Sequence, residues 1–143
     1  MSDRILRFSI AVLALAGAAI SGYLTYIHYA DATIFCTTGG CETVQSSRYA
    51  EIASLPVALL GLAGYVLIFL TTLGRGEVAR VTGVSLALTG FFFSAYLVYV
   101  QLALLGAICQ WCVASDVVMS AIVGLALLRL APYALRREVG SQT

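Results

Sequence analysis

The sequence predicts an all-α polytopic membrane protein: a four-transmembrane-helix bundle with a long outer loop between helices 1 and 2. Three observations carry that expectation. Of the 143 residues, 61% are hydrophobic and 10% charged, whereas an ordinary soluble domain devotes about a quarter of its residues to charge. The apolar residues fall into four stretches, roughly 8–29, 52–73, 81–106 and 108–131, each close to the ~20 residues with which an α-helix crosses a bilayer core of about 30 Å. The arginines gather outside those stretches.

Span 1 does not read as a signal peptide. Its apolar run is long, and no small-residue cleavage site followed by a soluble mature domain succeeds it. What lies outside the four spans is too short for a second domain, so residues 1–143 read as one membrane-embedded unit. Gly17, Ser21, Gly61 and Gly64 are small residues that permit close helix approach in a bilayer. Their expected role is packing.

Charge sets the expected orientation. The chain has eight arginines and no lysine. Arg4 and Arg7 precede span 1, Arg75 and Arg80 lie between spans 2 and 3, and Arg129, Arg136 and Arg137 end or follow span 4. Arg48 alone falls between spans 1 and 2, beside Asp31, Glu42 and Glu51. Both termini on the cytoplasmic side satisfies the positive-inside rule. The uncharged connection near Leu105–Ala107 then lies on the outer face, as does the long first loop.

That arrangement brings four cysteines to one side of the membrane. Cys36 and Cys41 sit in the outer loop as C-T-T-G-G-C, and Cys109 and Cys112 open span 4 as C-Q-W-C. The extracytoplasmic side of a bacterial membrane is where disulfides form and persist. Four cysteines allow three complete pairings, and exchange through mixed disulfides can use more than one in succession. A C-x-x-C pair is a redox dithiol or half of a metal site. Four thiols and His28 would suffice for zinc, and a structural disulfide network is a further alternative. The redox reading is preferred, with no metal. At the first turn of a helix, amide donors and the positive dipole end favour a thiolate. The spacing suggests that Cys109 faces the loop, with Cys112 one turn deeper, buried and facing a hydrophobic acceptor.

The loop offers other candidates. Gly39 and Gly40 make its backbone permissive. Ser46, Ser47 and Tyr49 are potential donors to a bound oxygen, with loop capping as the bland alternative. His28 reads mainly as an interfacial residue able to pair with the acidic loop. Phe91, Phe92, Phe93, Tyr96 and Tyr99 on span 3 suit an apolar pocket or lipid packing equally well. Trp111 is an interfacial anchor, a pocket wall, or both. Asp116 is the most conspicuous polar residue within a span. It stands ~10 Å along the helix from Cys109 and shares a face with Cys112. A carboxyl at that depth suggests function: when protonated, it can give a proton or a hydrogen bond to a reduced quinone, and the alternative is a bond to a tyrosine or serine across the bundle. No phosphate loop, paired-carboxylate motif or basic aromatic surface points to nucleotides or nucleic acid.

Together these residues resemble the bacterial branch of the vitamin K epoxide reductase family. The resemblance lies in Cys36, in Cys41-Glu42-Thr43-Val44-Gln45-Ser46-Ser47-Arg48-Tyr49-Ala50, in Leu55-Pro56-Val57-Ala58-Leu59-Leu60-Gly61 ahead of Tyr65, and in Cys109-Gln110-Trp111-Cys112. It implies a four-helix bundle holding a quinone, ubiquinone or menaquinone, near the outer face. It also implies roles. Cys112 attacks the quinone ring, Cys109 is its disulfide partner and relay, Cys41 exchanges with Cys109, and Cys36 helps receive electrons from a reduced thioredoxin-fold, DsbA-like partner. Ser47 corresponds to a serine near the active disulfide.

The implied reaction is dithiol oxidation coupled to quinone reduction, supporting disulfide formation in exported proteins at the bacterial cytoplasmic (inner) membrane. A thiol-disulfide relay without quinone is the alternative, and a non-enzymatic disulfide-stapled scaffold a more distant one. Where the vertebrate enzymes bind quinone oxygens through an asparagine and a tyrosine, this chain has Val57, which cannot donate, and Asp116, which donates only when protonated. Vitamin K epoxide chemistry is therefore not expected. Many bacterial relatives carry a fused thioredoxin-like domain. Here the partner is expected to be a separate chain.

Overall fold

The computed structural model describes residues 2–143. Four long helices form the bundle: α1 (Asp3–Ala30), then, after a short α2 (Cys41–Gln45) in the first loop, α3 (Val57–Leu73), α4 (Glu77–Tyr99) and α5 (Gln110–Gln142). α1 packs on α3 and α5, and α4 packs on α3 and α5, closing a ring. Three helical stretches, Asp3–Ala30, Glu77–Leu105 and Gln110–Gln142, are long and apolar enough to cross a membrane. The shorter α3, at 17 residues, measures about 25 Å and sits at the lower limit for a span. The result is an all-α, multi-spanning bundle.

Its core draws on every long helix: Ile10 and Ala14, Tyr65 and Ile68, Val84 and Ala87, Met119 and Ile122. Outward-facing Phe8, Leu15, Leu70, Phe92, Val117 and Leu128 are exposed. That pattern suits a lipid solvent, which demands satisfied backbone bonds rather than a polar surface. Gly17 admits the Tyr65 ring, since a Cβ there would lie 2.3 Å from Cε1, and Gly61 faces Ser21 Oγ at 3.2 Å from its virtual Cβ. Gly64 makes no such approach and lines a cavity instead.

The second span begins at Val57 rather than near residue 52. Glu51–Ile52 (β1) and Leu55–Pro56 (β2) pair as a two-residue-loop hairpin, with Ala53 and Ser54 at φ 52° and 66°, the positive-φ geometry such hairpins require. Pro56 lacks an N–H and biases Leu55 away from helix, so α3 starts after it. The fourth span starts at Gln110 and continues past Pro132 to Gln142. α4 ends in a wide π-helical turn, Val100–Leu105, stopped by Gly106 at φ 58°.

The two ends of the bundle differ. At one end lie the loop cysteines, Cys109 and Cys112. At the other, Arg7 donates to the Thr72 carbonyl (2.8 and 2.6 Å), satisfying an end of α3 that has no intrahelical partner. Arg80 and Arg129 both reach Asp3 (3.4 and 2.9 Å), and Arg129 also donates to the Gly74 carbonyl (3.1 Å). Arg137 and Tyr133 bond Glu77 (both 2.8 Å).

Candidate active site

The thiol end is assembled by strapping the first loop across the start of α5. The Thr37 amide donates to Gln110 Oε1 (3.1 Å), Thr38 Oγ1 to the Ile108 carbonyl (3.0 Å), and Trp111 Nε1 to the Phe35 carbonyl (2.7 Å). Gly40 lies against the Ile108 backbone. The residues immediately before Cys41 and Cys109 are thus in contact, which brings the two cysteine-bearing segments together. Gly39 is the conformationally permissive glycine, at φ 75° in open space. Gly40, at φ −96°, is needed for its missing side chain.

Cys36 and Cys41 form a disulfide with a Cα–Cα distance of 6.1 Å, while Cys109 and Cys112 are free thiols. Cys41 and Cys109 are fully buried, and Cys112 is half-buried. The expected burial is therefore reversed: Cys109, beneath the strap, is the enclosed thiol, and Cys112 opens onto a cavity. The Cys109 amide donates to Gln101 Oε1 (2.9 Å), a buried side chain supplied by the π-helical turn. Gln45 Nε2 lies 3.7 Å from Cys112 Sγ and 4.0 Å from Cys109 Sγ. Cys109 precedes the spanning helix, and its thiol is held below its ordinary value, chiefly by a hydrogen bond with the Cys112 side chain, against the opposing effect of burial.

The cavity beside Cys112 measures about 370 Å³, within the range of small-molecule sites. Its wall is mainly apolar, including Leu24, Val57, Ile68, Phe93 and Leu97, with Ser47, Tyr49, Tyr65 and Asp116 among the polar groups. Asp116 receives a hydrogen bond from Ser94 on one carboxyl oxygen, while its other oxygen is buried without a partner. The bond to a serine across the bundle, one of the two alternatives expected for this residue, is present. Tyr65 is engaged with the Ser115 carbonyl and hydroxyl, each at 2.8 Å.

Six residues were expected around a quinone, and four of them, Ser47, Val57, Phe93 and Asp116, line this cavity. Trp111 and Tyr96 do not. Trp111 is turned to the loop, its ring tilted against Tyr23 with centroids 5.0 Å apart, while its indole holds Phe35. Tyr96 is exposed on the outside of α4, as are Phe92 and Tyr99. Ser47 is present but its hydroxyl donates to the Val44 carbonyl (2.7 Å), and Ser46 likewise bonds Glu42 (2.7 Å), because short hydroxyl side chains readily reach back one turn. His28 pairs with Glu51 at 3.1 Å.

Gln45 and Gln101 escaped expectation. Gln101 is an isolated amide in an apolar run, and Gln45 stands in the polar loop segment that carries the resemblance, where nothing in its own type or spacing marks a role.

Residues 8–127 match the model of the vitamin K epoxide reductase (VKOR) family. The chain belongs to that family. Its two cysteine pairs, one per segment of the thiol end, make it a redox-active, disulfide-forming oxidoreductase of the VKOR type, a thiol relay linked to quinone. The apolar cavity beside Cys112, with an orphaned carboxyl oxygen in its wall, fits an apolar ring that carries polar oxygens. The VKOR family also works with thioredoxin-fold proteins.

Proposed function

We propose that this VKOR-family chain reoxidises an extracytoplasmic DsbA-like dithiol and reduces ubiquinone or menaquinone in the bacterial cytoplasmic membrane. The partner's two thiols become a disulfide as the Cys36–Cys41 bond is reduced to two thiols. With Cys109 and Cys112 already joined by a disulfide from an earlier quinone reduction, the Cys41 thiolate attacks Cys109, and Cys36 resolves the mixed disulfide, restoring the loop disulfide and leaving Cys109 and Cys112 as thiols. Oxidation of Cys109 and Cys112 to a disulfide releases two electrons and two protons, and quinone takes up both to become quinol. Cys112 is the sulfur that meets the quinone, and Cys109 is the relay. Val57 and Phe93 enclose the ring, Ser47 lines the same cavity, and protonated Asp116 donates to a quinone oxygen.

The observation that carries this reading is the asymmetry of the reduced pair: Cys112 opens into a 370 Å³ apolar cavity, while Cys109 is enclosed under the loop. The arginine-rich end supports a cytoplasmic position for both termini, which leaves the thiols on the outer face. Purified protein mixed in detergent with a reduced thioredoxin-fold dithiol and a short-chain quinone provides the test. Quinone reduction that disappears in Cys112→Ser supports the proposal. Thiol exchange that consumes no quinone identifies a relay instead.

A further inference from the structure

Gln45 closes the five-residue helix that Cys41 opens. Its amide nitrogen carries two hydrogens and lies within reach of both free sulfurs, 3.7 Å from Cys112 and 4.0 Å from Cys109. Gln45 also has an unusual position between two spaces. With Ser47, it lines both the cavity and a groove on the loop side that contains His28, Glu42 and Glu51. The Ser47 hydroxyl is spent on the Val44 carbonyl, so Gln45 is the boundary residue whose donor faces the thiols.

The chemistry needs such a donor. A thiolate, not a thiol, attacks a disulfide or an electrophilic ring, and an apolar cavity penalises that charge. Among the described residues, no arginine or histidine bonds either free sulfur: Arg48 is turned to Tyr49 and His28 to Glu51. A neutral amide stabilises the anion without locking it in a salt bridge.

We infer that Gln45 is a catalytic residue, whose amide holds the negative charge of the reduced Cys109/Cys112 pair at the wall of the acceptor cavity. This rests on the reading that the same pair meets the acceptor. The test separates the two. Full-length protein in detergent is reduced with dithiothreitol and treated with N-ethylmaleimide at pH 7, with modification of Cys109 and Cys112 followed by peptide mass mapping. Short-chain quinone reduction is measured in parallel. Gln45→Leu, which removes the donor, slows alkylation of the pair about tenfold, the effect of losing a hydrogen bond to a charged group. Gln45→Glu, which keeps the side-chain shape and therefore the fold, slows it at least as much by adding a repelling carboxylate. Both lower kcat with the quinone KM unchanged. Wild-type alkylation rates in either folded variant overturn the inference. Slower alkylation of the variants in a protein whose wild type reduces no quinone upholds Gln45 and removes the acceptor reading.

Discussion

A Cβ added to Gly40 would fall 2.4 Å from the Ile108 carbonyl oxygen and 2.7 Å from its amide nitrogen. Main chain meets main chain at the two positions that immediately precede Cys41 and Cys109. Gly40→Ala must therefore lift the loop from the start of α5. We expect a loss of about 1–3 kcal/mol, typical of overpacking against an unyielding neighbour. We also expect slower formation of a trapped Cys41–Cys109 disulfide in a Cys112→Ser background. Non-reducing peptide mapping over time measures it, and an unchanged trapping rate would show that this contact does not govern exchange.

Trp111 separates the two halves of the reaction. Its indole holds the Phe35 carbonyl and packs at a tilt against Tyr23, outside the cavity. Trp111→Phe keeps an aromatic surface and removes the N–H. The KM for the dithiol partner should rise severalfold, consistent with a lost hydrogen bond of about 1 kcal/mol, while the quinone KM stays constant. Steady-state kinetics with each substrate varied in turn decide the matter.

Asp116 tests the other side. Asp116→Asn retains a partner for Ser94 but no longer supplies a carboxyl proton. Turnover with short-chain quinone should fall about a hundredfold, within the ordinary range for losing a general acid, and the pH–rate profile should lose the limb the carboxyl supplies while keeping the one set by the thiols. An unchanged pH–rate profile would reduce Asp116 to a cross-bundle hydrogen-bonding residue.

Gly17 and Tyr65 form a packing pair. Gly17→Ala forces the buried Tyr65 ring to move, with an expected cost of about 1–3 kcal/mol in reversible unfolding. Combining it with Tyr65→Leu should recover part of the loss, because the shorter side chain vacates the space. Equal destabilisation by the single and double variants would contradict the pairing.

Arg129→Leu acts at the opposite end. It removes the donors to Asp3 Oδ1 and the Gly74 carbonyl. Because Asp3 is 37% exposed, the expected loss is about 1–2 kcal/mol rather than the larger penalty of a buried pair. A lower melting temperature with unchanged kcat in the folded fraction is the predicted result.

Hydrophobic runs and the distribution of arginines were sufficient to anticipate the helical bundle, since a bilayer restricts the chain to few solutions. Cysteine spacing likewise anticipated two pairs at one end. The finer site depended on backbone detail that periodicity does not carry. The hairpin at residues 51–56 hides inside an apolar run, and the wide turn at Val100–Leu105 that delivers Gln101 has no strong residue signature. Trp111 and Tyr96 were aromatic candidates whose direction depended on the loop and on the outward face of α4. Gln45 becomes meaningful only once α2 sets it beside two sulfurs remote in sequence.

The arginine-rich end has a mechanical consequence for the thiol end. Asp3 joins the start of α1 to both α4 and α5, while Arg7 fastens α1 to the last turn of α3. All four long helices are rooted at that end. The loop is moored at the other end by a few hydrogen bonds to the first turn of α5. Sulfur bonds can change partners at that working tip, with its moorings breaking and re-forming, while the roots keep the bundle in register.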